Sequence, residues 1–295
     1  MKLNSLIKEL ESIEVAIKNF TSIDLSEGYN GETLNETLIT FGNSRPNYNQ
    51  IVIMAGGSGS GKGFVLKNLV GVTGKIFDVD KLKDFALKSS VLQKKLDDSN
   101  YSNVNLFNLD LNNPKDNDIL HKVLQDIKLD SKMFNNMFSE VISYSNNKPN
   151  LIFDVTLGNL NRLFDISEMA QTFGYKKENI HIVWVVNDIK TAIEQNKTRG
   201  RQVPEDRLKE IHSKVKHSLI GIFKNELDIK KYMNGDFWVV FNKKGSDTDI
   251  EHSDLGGSYI SKANVFKIKE QGKNFDSDNE ILYNITNKIN DYIKL

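Results

Sequence analysis

At 295 residues the chain is long enough for one large α/β domain or two smaller units. Its 39 Lys plus Arg balance 39 Asp plus Glu, so no global field favours nucleic acid or an anionic membrane as partner. There is no cysteine, which excludes disulfides, thiol catalysis and cysteine-held zinc and fits a cytoplasmic protein; no apolar run approaches the length of a membrane span.

Residues 1–20 read as an amphipathic helix, with Leu3, Leu6, Ile7, Leu10, Ile13, Ile17 and Phe20 on or near one stripe. The opening residues are too charged for the apolar region of a signal peptide. Residues 21–50 are polar and turn-rich, ending in the linker Ser44-Arg45-Pro46-Asn47. A helical extension over 1–48 thus precedes a core over 49–232.

The core opens with the apolar run Ile51-Val52-Ile53-Met54-Ala55, a short buried strand. Directly after it comes Gly56-Gly57-Ser58-Gly59-Ser60-Gly61-Lys62-Gly63. Gly56, Gly61 and Lys62 fit the phosphate-binding P-loop pattern of Gly, four free positions, Gly, Lys, then Ser or Thr. Glycines let successive backbone N–H groups turn toward one centre, and the lysine reaches the β- and γ-phosphates. Phe64 to Val70 places apolar residues on one helical face, so the loop lies between a strand and a helix, as a phosphate site requires. A Gly/Ser linker is the competing reading, and it rarely falls in such a context. Gly63 stands where the pattern has a hydroxyl that ligates Mg²⁺. The metal then has to rely on water, on Ser60 or on a carboxylate elsewhere.

Gly71 and Gly74 end that helix, and Lys75-Ile76-Phe77-Asp78-Val79-Asp80 reads as a second strand with aspartates at its carboxyl end. Helices are expected over 82–98, 115–128 and 131–145, with an irregular Asn-rich stretch over 99–114. Leu151 to Thr156 is a third strand, and 159–173 a helix ending at Gly174. Ile180 to Val186 is a fourth, apolar enough to be buried on both faces. A helix from about Asp188 to Lys197 follows, and another begins at Pro204, a residue suited to a first helical turn. Over 233–295 the expectations are a strand at Phe237–Phe241, a Gly/Ser/Asp loop over 243–258, a half-exposed strand at Val265–Lys269 and a terminal helix over 278–294. This segment is either a small α+β appendage or the sheet's last strands.

Strands alternating with helices predict an α/β fold, a mostly parallel sheet flanked by helices. Ligands in such sheets bind at the carboxyl ends of strands. The glycine loop, Asp78, Asp80, Asp154, Thr156 and Asn187 all follow or close a predicted strand, so topology brings them to one edge. Lys197, Arg199, Arg201 and Arg207 form a locally basic stretch that can stabilise phosphate oxygens, or simply favour a helix end. The five histidines show no metal-ligand spacing, and His181 reads as a core residue within an apolar strand.

Three segments together resemble the zeta-toxin-like P-loop kinases, including those encoded by bacteriophages: the loop Gly56–Gly63, the stretch Asn150–Leu157, and Arg201-Gln202-Val203-Pro204 with its helix. The resemblance covers roughly residues 50–220. It implies an ATP-dependent kinase acting on a hydroxyl of a small molecule such as a nucleotide sugar or nucleoside, with Mg²⁺. A polynucleotide or modified-base kinase and a non-catalytic nucleotide-binding regulator are the alternatives. It also implies Asp80, or else Asp78, as the base at the acceptor hydroxyl. Asp154 would contact substrate and metal, with Asp80 as a further metal ligand, and Thr156 the substrate. Arg201, with Arg199 second, would meet the γ-phosphate. The competing reading of Asp78 and Asp80 is a cap for the next helix. The family's second lid arginine has no counterpart; His217 and Lys216 lie nearby without being equivalents. An antitoxin-like protein partner is a further implication, and a host cytoplasm if the chain is phage-encoded.

Overall fold

The computed structural model describes residues 38–42, 48–97, 99–144, 146–223, 228–252, 258–275 and 280–294. The helix expected over 1–20 lies outside them. Seven strands form one sheet in the order β2-β3-β1-β4-β5-β7-β6. They are β1 (Ile51–Ala55), β2 (Lys75–Asp78), β3 (Leu151–Asp154), β4 (Ile180–Val186), β5 (Phe237–Phe241), β6 (Thr248–His252) and β7 (Ser258–Lys269). The first five run parallel, and β7 and β6 close one side antiparallel. The strands after residue 233 therefore belong to the same sheet as the strand before the glycine loop.

The helices are α1 (Lys62–Asn68), α2 (Val79–Ala86), α3 (Ser90–Asp97), α4 (Pro114–Asp126), α5 (Leu129–Ser139), α6 (Asn161–Thr172), α7 (Ile189–Thr198), α8 (Glu205–Phe223) and α9 (Glu280–Tyr292). Strand residues alternate between two apolar layers. Ile51, Ile53 and Ala55 face one, with helix residues such as Leu82, Leu163 and Val215. Val52 and Met54 face the other, with Val65, Leu69, Ile39 and Phe41. This double burial explains the unbroken apolar runs of β1 and β4.

Several boundaries differ from expectation, and the helix expected over 82–98 is two, α2 and α3. The second strand stops at Asp78 because the Asp78 carboxylate accepts from the N–H groups of Asp80 (2.8 Å) and Lys81 (3.4 Å) and so starts α2 there. Asp80 therefore sits in a helical first turn, not at a strand end. The third strand stops at Asp154, leaving Thr156 in a loop. Part of the expected loop over 243–258 is the strand β6, paired with a β7 that begins well before Val265.

The carboxyl ends of β2 and β3 are set by an aromatic cluster. The Phe153 ring lies 5.8 Å, centroid to centroid, from each of Phe77, Phe134 and Phe138. Phe153 is fully buried. Phe153→Ala is expected to lower stability by about 3–5 kcal/mol in urea unfolding, since the three remaining rings surround a void that the backbone of an interior strand cannot fill.

Candidate active site

The site begins where β1 ends. Gly59 has φ +74°, and a Cβ there would lie 2.4 Å from the Ala192 carbonyl oxygen of α7. Gly57 is bare for another reason: the His212 ring of α8 occupies the space, 2.3 Å from where a Cβ would stand. The loop is thus pressed onto α7 and α8. Three of its consecutive carbonyls are bound from behind. The Ser58 carbonyl accepts from His212 Nε2 (2.8 Å), that of Gly59 from Asn187 Nδ2 (3.3 Å) and that of Ser60 from Asn242 Nδ2 (3.0 Å). In a trans peptide the N–H points opposite to the C=O, so the amides of Gly59 and Gly61 point away from these partners. A carbonyl only accepts, so His212 carries its proton on Nε2; burial holds its pKa below the usual histidine value, keeping it neutral.

Lys62 opens α1. Its Nζ donates to the Gly56 carbonyl (2.9 Å) and lies 3.4 Å from Asp154 Oδ1. The loop thus lies between a strand and a helix, the arrangement expected of a phosphate-binding loop. The Gly56 N–H in turn donates to the Thr156 carbonyl (3.3 Å), which ties the loop to the segment after β3.

Asp78 and Asp154 are register partners at the ends of β2 and β3. Burial, then the Asp154 and Asp80 charges, push the Asp78 carboxyl up; the two N–H bonds it accepts oppose this. Burial also acts to raise Asp80. Lys83, Arg201 and Arg199 outweigh it and hold that carboxyl below the ordinary range. Asp80 is thus an ionised acceptor at neutral pH, able to orient a hydroxyl. Arg199 joins the two sides: Nη1 donates to Ser58 Oγ (3.1 Å) and Nη2 to Asp80 Oδ2 (3.3 Å). Arg201 donates to the Asp80 carbonyl (2.7 Å) and to Asp84 Oδ2 (2.9 Å), on the α2 side. Arg207 is paired with Asp118.

One cavity of about 900 Å³ is lined by Gly57 to Gly63, Asp78, Asp80, Asp154, Thr156, Arg199 and Arg201. The expected residues therefore share one space, except Gly56 and Asn187, which do not line it. Gly63 is open: a Cβ there meets nothing within 4 Å, so packing does not forbid the missing hydroxyl. The Ser60 hydroxyl is buried and has no hydrogen-bond partner among the described residues.

Sequence reasoning missed Asn242, His212, Lys83 and Arg162. Asn242 had a signal, since it follows the apolar run of β5 as Asn187 follows β4. Lys83, whose buried amine donates to Asn117 Oδ1 (2.7 Å), looks like any helix lysine in the sequence. His212 and Arg162 gain their places only from packing between distant helices.

No known protein family and no curated protein matches the chain. Solved structures are similar in fold. One is the AvrRxo1-ORF1:-ORF2 structure with ATP, at 11% identity and a TM-score of 0.46, covering 97% of this chain and 72% of that one. Another comes from the PezAT chromosomal toxin-antitoxin system of Streptococcus pneumoniae, at 10% identity and a TM-score of 0.44, covering 95% and 98%.

Proposed function

We propose that this protein is an ATP-dependent kinase that transfers the γ-phosphoryl group to a hydroxyl of a small acceptor. The observation that carries the reading is the meeting of Lys62, Asp154, Asp80 and Arg199 around one cavity. Phosphoryl transfer asks chiefly for positioning and for cations at the phosphate oxygens. The loop amides and Lys62 hold the phosphates. Lys62 leaves the Gly56 carbonyl to do so, an exchange of one charge-assisted hydrogen bond for stronger ones. Arg199 stands beside the loop and next to Asp80, where it can meet a γ-phosphate; Arg201 steadies the Asp80 turn. Asp80 accepts the proton bond of the acceptor hydroxyl, and Thr156 lines the acceptor side.

A bound Mg²⁺ would supply charge neutralisation at the phosphate oxygens. Its preference for oxygen donors and retained waters fits Asp154, with Asp80 across the cavity, and Gly63 supplies no ligand. The alternative is a nucleotide-gated binding protein, favoured by that same Gly63.

The test is ATP turnover over a panel of nucleosides, nucleotide sugars and polynucleotide 5′-hydroxyls. Lys62→Ala is expected to lower acceptor-dependent turnover by about 100-fold or more. Asp80→Asn is expected to lower kcat by about 100-fold while ATP affinity stays within a few-fold. Acceptor-dependent turnover that survived both substitutions would sink the assignment. Tight ATP binding without turnover on any acceptor would favour the binding protein.

A further inference from the structure

The cavity reaches beyond the glycine loop and Asp78 to the helix α6. Arg162, on α6, lines it there. Its guanidinium carbon sits 4.5 Å from the ring centroid of Phe134 and 5.0 Å from that of Phe77. Phe77 belongs to β2, which is two strands from β1, so this place is displaced by about 10 Å across the sheet from the glycine loop.

The other lysines and arginines of the cavity wall are all paired. Lys62, Arg199, Arg201, Arg207 and Lys214 each have a carboxylate oxygen within 4.0 Å, and Lys83 has one at 3.9 Å as well as its bond to Asn117. Arg162 has no carboxylate within that distance among the described residues. The charges of Asp130 and Asp165 act on it only from beyond that distance, and burial still pushes its pKa below the usual arginine value; contact with two aromatic rings offsets only part of the cost of a half-buried charge. Contact with two rings restrains the guanidinium, and its fork of N–H donors suits a planar or tetrahedral oxyanion.

We infer that Arg162 reads an oxyanion of the acceptor, a phosphate or a carboxylate, at the end of the cavity remote from the loop. The word acceptor rests on the kinase reading above; the anion site itself does not. It makes Arg162 the residue that discriminates a charged acceptor from its neutral analogue.

The experiment uses the full chain with its P-loop filled by AMP-PNP, so that added anions cannot occupy the loop. Thermal midpoints are compared in phosphate, malonate and chloride at matched ionic strength. Phosphate or malonate is expected to raise the midpoint by about 2–4 °C over chloride, and the better of the two names the oxyanion. Arg162→Met, which keeps an unbranched apolar stem on the two rings, is expected to lose the whole rise. Arg162→Lys keeps the charge without the fork and is expected to retain a minor part of it. A midpoint no higher than in chloride, or an equal rise in Arg162→Met, overturns the inference. Failure of AMP-PNP to bind would overturn the nucleotide site alone. The same anion comparison then runs in Lys62→Ala, where loss of the rise on adding Arg162→Met still decides for Arg162.

Discussion

Gly59→Ala is expected to weaken nucleotide binding by about 100-fold, whereas Gly63→Ala leaves it within about 2-fold. Both change one hydrogen to a methyl in the same eight-residue loop, so composition and local flexibility do not separate them. Packing does. At Gly59 a Cβ meets the backbone oxygen of Ala192 at 2.4 Å, and the φ of +74° is one that L residues adopt at a cost of about 1–2 kcal/mol. A backbone oxygen in the middle of α7 does not yield as a side chain would, so the loop has to move. Moving it breaks the bonds from Asn187 to Gly59 and from Asn242 to Ser60, which set the direction of the neighbouring amides. Amides aimed a few tenths of an ångström wrongly lose much of their hold on a phosphate, because each bond is charge-assisted and directional. At Gly63 nothing stands within 4 Å. Isothermal titration with AMP-PNP measures both affinities, and thermal midpoints of the free proteins show whether Gly59→Ala is folded. Equal affinities for the two variants would mean that the loop is not a rigid, preformed cradle.

The same openness at Gly63 makes a sharper use of the position possible. A serine placed there restores the hydroxyl of the P-loop pattern without a steric cost. Were Asp154 and Asp80 to hold Mg²⁺ through water, the added ligand would raise Mg²⁺ affinity in the nucleotide complex and leave nucleotide affinity in EDTA unchanged.

The parts of this site that were legible in the sequence are those carried by short-range pattern. An apolar pentapeptide before Gly56 can only be a buried strand, and a lysine after four glycines placed at alternate or adjacent positions has few other uses. Asp154 was legible because it closes a strand. Asp80 was half legible: it stands near the carboxyl end of β2 as the sequence suggests, but its place in α2 depended on Asp78 acting as a cap, a choice between two neighbouring carboxylates that the sequence leaves even. β6 was hidden because Thr248-Asp249-Ile250-Glu251-His252 alternates too briefly at the edge of a sheet, where polar residues on one face are normal. The residues that hold the loop from behind came from α8 and from the end of β5, more than 150 and 180 positions away from their partners Ser58 and Ser60. Local periodicity carries no information over such separations. Arg162 was hidden for a related reason, since only the meeting of α6, α5 and β2 sets an ordinary helix arginine against the rings of Phe77 and Phe134 in the cavity wall.

Stability is expected to fall steeply with acid, beginning near pH 6.5, because of a histidine remote from the nucleotide site. His181 is fully buried near the start of β4. Its Nε2 bonds to Gln50 Oε1 at 2.7 Å, and its Nδ1 accepts the backbone N–H of Asp236 at 2.8 Å. Both ring nitrogens are therefore used by the neutral ring, and a proton on Nδ1 would face another N–H. Burial, with Lys269 and Lys267 nearby, lowers its pKa to about 3. The Asp236 carboxylate stands 3.9 Å from Nδ1, but its own oxygens are engaged by the Gly42 and Gln271 N–H groups and by Lys267. It therefore does not rescue the charged ring. The folded pKa lies below the unfolded value of about 6.5, so the unfolded chain binds the extra proton first. The contribution of His181 is full above pH 6.5 and is lost as pH falls toward 3, at about 1.4 kcal/mol per pH unit for one proton. Buried His212 and half-buried His121, also lowered by desolvation, act in the same direction and add to the slope. His181→Gln isolates the first contribution, because an amide offers one donor and one acceptor and does not titrate. Between pH 6 and 5, above the range of the carboxylates, urea unfolding of the wild type is expected to lose about 1.4 kcal/mol more than the variant does. Parallel lines for the two proteins over that interval would show that His181 takes up its proton in the folded state, and that the bond from the Asp236 amide does not hold the ring neutral.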